Sequence, residues 1–167
     1  MHKHVLVIGM PGTGKTTLTA YFIKKGKTAF DGDEELGKWL DKRGHVKRMM
    51  KHASKKWLSE HRWRWNVRKL KKLLKDNREL YLFGGADNQF DVLDLFDRTY
   101  YLKADKKLLA KRLKTRTGPY DFGKTKHQKE LVFGWINSVD RRAKENGLIF
   151  IDASLSPNQI FRIITKK

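Results

Sequence analysis

Five short runs rich in apolar, β-branched and aromatic residues punctuate the chain, at residues 5–8, 27–30, 79–83, 98–102 and 148–151. Their length and near-continuous apolar character suit strands buried on both faces of a parallel sheet. Between them the apolar spacing changes to that of helices. Leu18, Tyr21 and Phe22 share one face of a first helix, which Gly26 stops. Residues 35–40 continue as a short helix after the second strand. Trp63, Val67, Leu70 and Leu74 recur at i, i+4, i+7 and i+11, which predicts an amphipathic helix. Its other face carries Arg64, Arg68, Lys69, Lys71, Lys72 and Lys75. Phe90, Val92, Leu93, Leu95 and Phe96 mark a further short helix. Asp105 stands as the N-cap of a helix that turns Leu108, Leu109 and Leu113 inward. A long helix follows from about residue 127 to 145, and Ser156-Pro157 opens a closing helix through Ile160, Ile163 and Ile164. Strands alternating with helices predict an α/β fold in which a parallel sheet is covered on both faces. With no repeat, linker or low-complexity segment, residues 1–167 read as one domain.

The first strand and helix are joined by Gly9-Met10-Pro11-Gly12-Thr13-Gly14-Lys15-Thr16, which fits G-x-x-x-x-G-K-[ST] at every fixed position. A glycine-rich turn between a strand and a helix N-terminus is a cradle for phosphate. Gly12 and Gly14 leave no Cβ in the way, successive N–H groups point inward, and the positive end of the helix dipole adds to them. Gly9, Pro11, Gly12, Thr13, Gly14, Lys15, Thr16 and Thr17 are therefore the expected contacts of a nucleoside triphosphate, ATP. In that motif the Lys15 ammonium reaches the β- and γ-phosphates and the Thr16 hydroxyl takes a place on Mg²⁺.

Phosphoryl transfer needs charge neutralisation, in-line positioning and a group to orient the nucleophile. Asp31, at the carboxyl end of the second strand, lands beside the phosphate loop and is a candidate metal ligand. Asp33, two residues on, is a candidate to hydrogen-bond an acceptor hydroxyl or accept its proton, although Asp-Gly-Asp is also ordinary turn chemistry. Gly84-Gly85 follows the third strand and marks either a close backbone approach to a ligand or a tight turn. Arg112 and Arg116 share a helix face beside the glycine-containing segment 117–126, which reads as a mobile lid. Arg112 is placed on the base and Arg116 on the transferring phosphate. Arg64 and Arg141 are candidate acceptor contacts, with Arg142 beside the latter. Trp57, Trp63 and Trp65 read as core or pocket wall, and His45, His52 and His61 form no ligand-like pattern.

Charge changes the picture of partners. The chain carries 38 Lys and Arg against 18 Asp and Glu, a net charge of +20, which attracts polyanions. Residues 42–78 hold 15 of those cations against Glu60 and Asp76 alone, or +13, so nucleic acid is a possible partner. There is no cysteine, which excludes disulfides, thiolate catalysis and a cysteine–zinc lid and suits a reducing cytosol. No segment approaches the roughly 18 apolar residues of a membrane span, and the first apolar run is too short for a signal-peptide core. A cytoplasmic protein is expected.

GMPGTGKT, FDGDEELGKWLDK, LYLFGGADN and LLAKRLKTRTGPYDFGK, in that order, resemble the small P-loop kinases of the adenylate and shikimate kinase group. The likeness is strongest to bacterial adenylate-kinase-like "AAA family ATPase" proteins of this length, and covers nearly the whole chain. It implies a three-layer α/β/α fold whose five-stranded parallel sheet runs in the order 2-3-1-4-5. It also implies a lid after the fourth strand and an acceptor-binding insertion at about residues 34–78. By the same likeness Asp31 and Asp33 match the D-x-D of shikimate kinases, Gly84-Gly85 the start of their glycine triplet, and Arg112 and Arg116 the lid-proximal arginines. Ala86 replaces the third glycine, and the D-G-F-P-R of adenylate kinases is missing, so neither acceptor carries over. The expected activity is transfer of the ATP γ-phosphate to a small acceptor, with a nucleoside or nucleotide favoured. The alternatives are a polynucleotide 5′-hydroxyl kinase and a nucleic-acid-binding NTPase.

Overall fold

The computed structural model describes residues 3–49, 53–115 and 122–166. In chain order the elements begin β1 (Lys3–Gly9), α1 (Lys15–Lys24), β2 (Ala29–Asp31), α2 (Gly32–Glu35), β3 (Gly37–Leu40) and β4 (Val46–Lys47). Next come α3 (Lys55–Glu60), β5 (Arg62–Trp65), α4 (Val67–Asp76), β6 (Glu79–Gly84) and a 3₁₀ helix (Gln89–Leu95). The chain closes with β7 (Arg98–Lys103), α5 (Lys106–Thr115), α6 (Lys126–Glu145), β8 (Ile149–Asp152) and α7 (Pro157–Thr165).

Five strands form a parallel sheet in the order β2-β6-β1-β7-β8. Numbered within that sheet, this is the expected 2-3-1-4-5. Because alternate side chains of a strand face opposite ways, β1 feeds two cores at once. Val5 and Val7 join Tyr81, Phe83, Tyr100 and Leu102 beneath α1, α5 and α7, which contribute Leu18, Phe22, Leu109, Leu113, Ile160 and Ile164. Leu6 and Ile8 join Leu80, Leu82 and Tyr101 on the other face, where α4 lays down Leu70 and Leu74. Val5, Leu6, Val7 and Ile8 are fully buried, and each such side chain contributes about 1.5–3 kcal/mol. The caps stand where the sequence placed them. Asp105 Oδ1 accepts the Leu108 N–H at 2.7 Å, and the Ser156 hydroxyl accepts the Gln159 N–H at the start of α7.

Two expectations are corrected between β2 and β6. Residues 37–40 are a strand and not the tail of a helix, since α2 ends at Glu35 and Gly37 begins β3. Trp63 and Arg64 are likewise strand residues, and the amphipathic helix starts only at Val67. The physical signal is the alternation Arg62-Trp63-Arg64-Trp65, a period of two that outweighs the coincidental i, i+4 step from Trp63 to Val67. Asn66 separates the two elements by accepting the Lys69 N–H as the cap of α4, at 3.0 Å. β4, β3 and β5 form a small antiparallel sheet, with Trp39 opposite Trp63 and Lys38 opposite Arg64. Residues 89–95 form a 3₁₀ helix where a short helix was expected.

Candidate active site

The turn after β1 requires left-handed backbone at Gly12 and Gly14, with φ of 90° and 96°. A Cβ is costly there, and glycine is the residue that adopts it freely. The Thr13 hydroxyl donates to the Met10 carbonyl at 2.8 Å and ties the loop across its own width. The Lys15 ammonium is buried and donates to the Gly9 and Met10 carbonyls at 2.8 and 3.1 Å. Gly14 caps α1 without a side chain, so no side-chain oxygen takes up the first N–H groups of the helix. Those donors, the dipole and the lysine converge on one cavity, which is the arrangement that binds phosphate.

One wall of that cavity is β2. The Thr16 hydroxyl donates to Asp31 Oδ2 at 2.8 Å, while Asp31 Oδ1 accepts the Asp33 N–H at 3.0 Å. A hydroxyl and a carboxylate oxygen side by side at the phosphate loop are hard oxygen donors of the kind Mg²⁺ takes together with water and phosphate. Thr16 and Asp31 are therefore the residues that fit this ion. Among the described residues no group of three or more His, Cys, Asp and Glu side chains is placed to hold a metal by itself.

Asp33 is held from one side only. Its Oδ1 accepts the Gly85 N–H at 3.0 Å and the indole N–H groups of Trp63 and Trp65 at 3.3 and 3.4 Å. Among the described residues no hydrogen bond ends on Oδ2, and Asp33 lines the cavity with the phosphate loop. Burial pushes its carboxyl above the usual range. The Lys15 ammonium, the Gly85 N–H and the Trp63 indole pull the other way, and Asp31 adds to the rise. The indoles in turn are fixed by glycine. A Cβ on Gly84 would stand 2.6 Å from the Trp65 ring, and one on Gly37 would stand 2.0 Å from the Trp63 ring. The Trp65 backbone is clamped at both polar atoms by Asn88, whose side chain accepts from its N–H at 2.9 Å and donates to its carbonyl at 3.1 Å.

Arg112 closes the opposite end, with its guanidinium donating to the Thr13 carbonyl at 3.2 Å. The cavity of about 560 Å³ continues past it to Ala153, Leu155 and Pro157, an apolar wall after β8. That volume is within the range of small-molecule sites. Polar phosphate-binding groups, a carboxylate with a spare oxygen and an apolar end wall thus share one cleft.

A protein-family model described as an AAA domain matches residues 5–132. The chain belongs to this AAA-domain family. The matched segment runs from β1 into α6 and contains the phosphate loop, Asp31, Asp33 and Arg112, whereas the Ala153–Pro157 wall follows it. No sequence among the curated proteins matches the chain. Solved structures do. Shikimate kinase from Acinetobacter baumannii in complex with shikimate is 14% identical with a TM-score of 0.64, over 100% of this chain and 97% of that one. Shikimate kinase from Bacteroides thetaiotaomicron is 17% identical, also with a TM-score of 0.64, over 99% of each chain. Deoxyadenosine kinase from M. mycoides with bound dATP is 14% identical with a TM-score of 0.57, over 96% of each. These likenesses give the AAA-domain protein the fold of the small P-loop kinases.

Of the other expected site residues of this AAA-domain protein, Gly85 belongs to the hold on Asp33, while Arg64 and Arg141 face other partners. Arg64 pairs with Asp87 and Asp91 at 4.0 and 3.8 Å, on the face of β5 opposite Trp63 and Trp65. Arg141 pairs with Glu145 along α6, and Arg142 lies over the Phe90 ring at 4.3 Å. Gly85 gives its N–H to Asp33, and the space beside Gly84 is filled by Trp65. Arg116 and residues 117–121 of the segment 117–126 lie outside the described residues, as does His52. Sequence reasoning missed the Asp33 contacts of Trp63 and Trp65, the Asn88 clamp and the Ala153–Pro157 wall. The alternating Arg-Trp-Arg-Trp was the one legible signal for the first two. Because Gly84 has no room for a methyl group, Gly84→Ala is expected to cost about 1–3 kcal/mol. Thermal unfolding should then fall by several degrees, read by circular dichroism.

Proposed function

We propose that this protein is an ATP-dependent phosphotransferase that moves the γ-phosphate to a hydroxyl of a small acceptor, with a nucleoside or nucleotide as the favoured class. The observation that carries this reading is the one-sided hold on Asp33. Three N–H donors fix Oδ1, leaving Oδ2 for the hydroxyl of an acceptor in the same cavity as Lys15. A positioned carboxylate orients the hydroxyl, and receives its proton as the oxygen–phosphorus bond forms and the bond to ADP breaks. Lys15 and the N–H groups of α1 stabilise the charge on the transferring group, and Arg112 with Ala153, Leu155 and Pro157 holds the base. Thr16 and Asp31 would hold Mg²⁺, which would supply charge neutralisation for the phosphates when bound.

Aromatic surroundings support a flat acceptor. From Asp33 a run of rings leads outward through Trp63, Trp39 and Trp57, with centroids 5.6 and 5.2 Å apart, and reaches Phe122 at 6.2 Å from Trp39. Arg64 and Arg141, which an acceptor carboxylate would need, are turned to Asp87, Asp91 and Glu145. Thermal shift with Mg²⁺ and a non-hydrolysable ATP analogue tests this reading. A nucleoside or nucleotide at about 100 times its Kd should add roughly 2.7 kcal/mol and several degrees. A further shift from carboxylic acids or sugars alone would transfer the acceptor to another class.

The metal reading makes its own prediction. Asp31→Asn removes the charge and leaves one acceptor oxygen where Thr16 and the Asp33 N–H now have two, so the Mg²⁺ concentration for half-maximal turnover should rise at least about tenfold. A mutant that loses acceptor binding alone, at unchanged Mg²⁺ demand, would contradict it.

A further inference from the structure

Two arrays of cations adjoin between β2 and β6, and neither enters the cleft. In β3 and β5, Lys38 lies directly opposite Arg64, so the two side chains leave the sheet on one face, with Arg62 two residues along on the same face. Like charges set opposite each other across a sheet repel. Only Asn66 separates β5 from α4, where Arg68, Lys71, Lys72 and Lys75 follow at i, i+3, i+4 and i+7 along one exposed stripe. Cations at those spacings also repel. Arg64 is paired with Asp87 and Asp91, and Lys72 with Asp76, but among the described residues Lys38, Arg62, Arg68, Lys71 and Lys75 make no ion pair. Leu70 and Leu74 are buried in the core, so this repulsion is imposed by a helix that the sheet holds in place.

We propose that the exposed stripe of α4 and the adjoining cationic face of β3 and β5 form a docking surface for the phosphate backbone of a polynucleotide. A chain of regularly spaced negative charges relieves the repulsion along both arrays, and the release of its counterions drives binding. α4 turns its leucines inward and leaves cations without the bulky apolar side chains that insertion into a membrane requires. Trp39 and Trp63 share the other face of the small sheet, so bases find no stacking platform here and recognition is of backbone, not of sequence. The surface is separate from the acceptor side of Asp33, and the proposal holds whether or not that site transfers phosphate.

The test is anisotropy of a fluorescent single-stranded RNA with the full-length protein, between about 50 and 200 mM KCl. The five unpaired cations at about 0.7 each give a log–log slope near 3.5 and a loss of affinity of roughly a hundredfold over that range. The variant Arg68→Gln/Lys71→Gln/Lys75→Gln should lower the slope by about 2, with its thermal unfolding unchanged because the three side chains are exposed. RNA with a 5′-phosphate should bind as well as RNA with a 5′-hydroxyl. A slope of about 1 or less would overturn the proposal. So would a slope that the variant leaves unmoved, a requirement for a free 5′-hydroxyl, or binding to phosphatidylserine vesicles with none to RNA.

Discussion

Lys15→Ala lowers ATP turnover by at least about a hundredfold, the scale at which loss of one preorganised charge or donor is felt in a transition state. Its ammonium sits at the mouth of the α1 N-terminus, between the Gly9 and Met10 carbonyls, where among the described residues no other ammonium lines the cleft. The substitution removes two hydrogen bonds from that loop. At about 1–3 kcal/mol this is a fraction of a domain's usual 5–15 kcal/mol, and the fold survives. Phosphate release from Mg-ATP measures the loss, and thermal unfolding checks the fold. Lys15→Met, which keeps the length of the stem, supplies the same comparison if alanine loosens the loop. Turnover equal to that of the unmodified protein in both variants would remove the phosphate loop from the active site.

Asp33→Asn is the second large effect, and it divides binding from transfer. An asparagine carbonyl still accepts from Gly85, Trp63 and Trp65, so the wall stays built. Its amide nitrogen cannot take up a proton where Oδ2 stood. Transfer to the acceptor should fall by about 10²–10⁴, the usual worth of a positioned base. The affinity for ATP should change by no more than about threefold, since the phosphates are held by the loop and not by Asp33. Equal losses in ATP affinity and in transfer would place Asp33 on the nucleotide instead of the acceptor.

What could be read from the sequence depended on whether a feature is local. The glycine-rich motif, the cap at Asp105 and the cap at Ser156 each act within a few residues. All three stand where spacing placed them. The five strands of the parallel sheet are continuous apolar runs, and their order followed from the family likeness. The small antiparallel sheet was illegible for a physical reason. Its strands have two to four residues, too few for periodicity to beat a chance helical match, and Trp63 satisfied both periods. The hold on Asp33 was hidden because its indole partners lie 30 and 32 residues away and come together only when β5 pairs with β3. Arg64 shows the converse case. A cation in a basic segment reads as a ligand contact, yet strand alternation turns it away from Asp33 and towards Asp87 and Asp91.

The most direct test of phosphoryl transfer at Asp33 follows the phosphate itself. ATP radiolabelled in its γ-phosphate is incubated with the protein, Mg²⁺ and a panel of nucleosides and nucleotides, and the products are separated. A labelled nucleoside or nucleotide product formed by the unmodified protein, and lost in Asp33→Asn while ATP still binds, is the predicted result. Label released only as inorganic phosphate with every acceptor, at the same rate in both proteins, would contradict it.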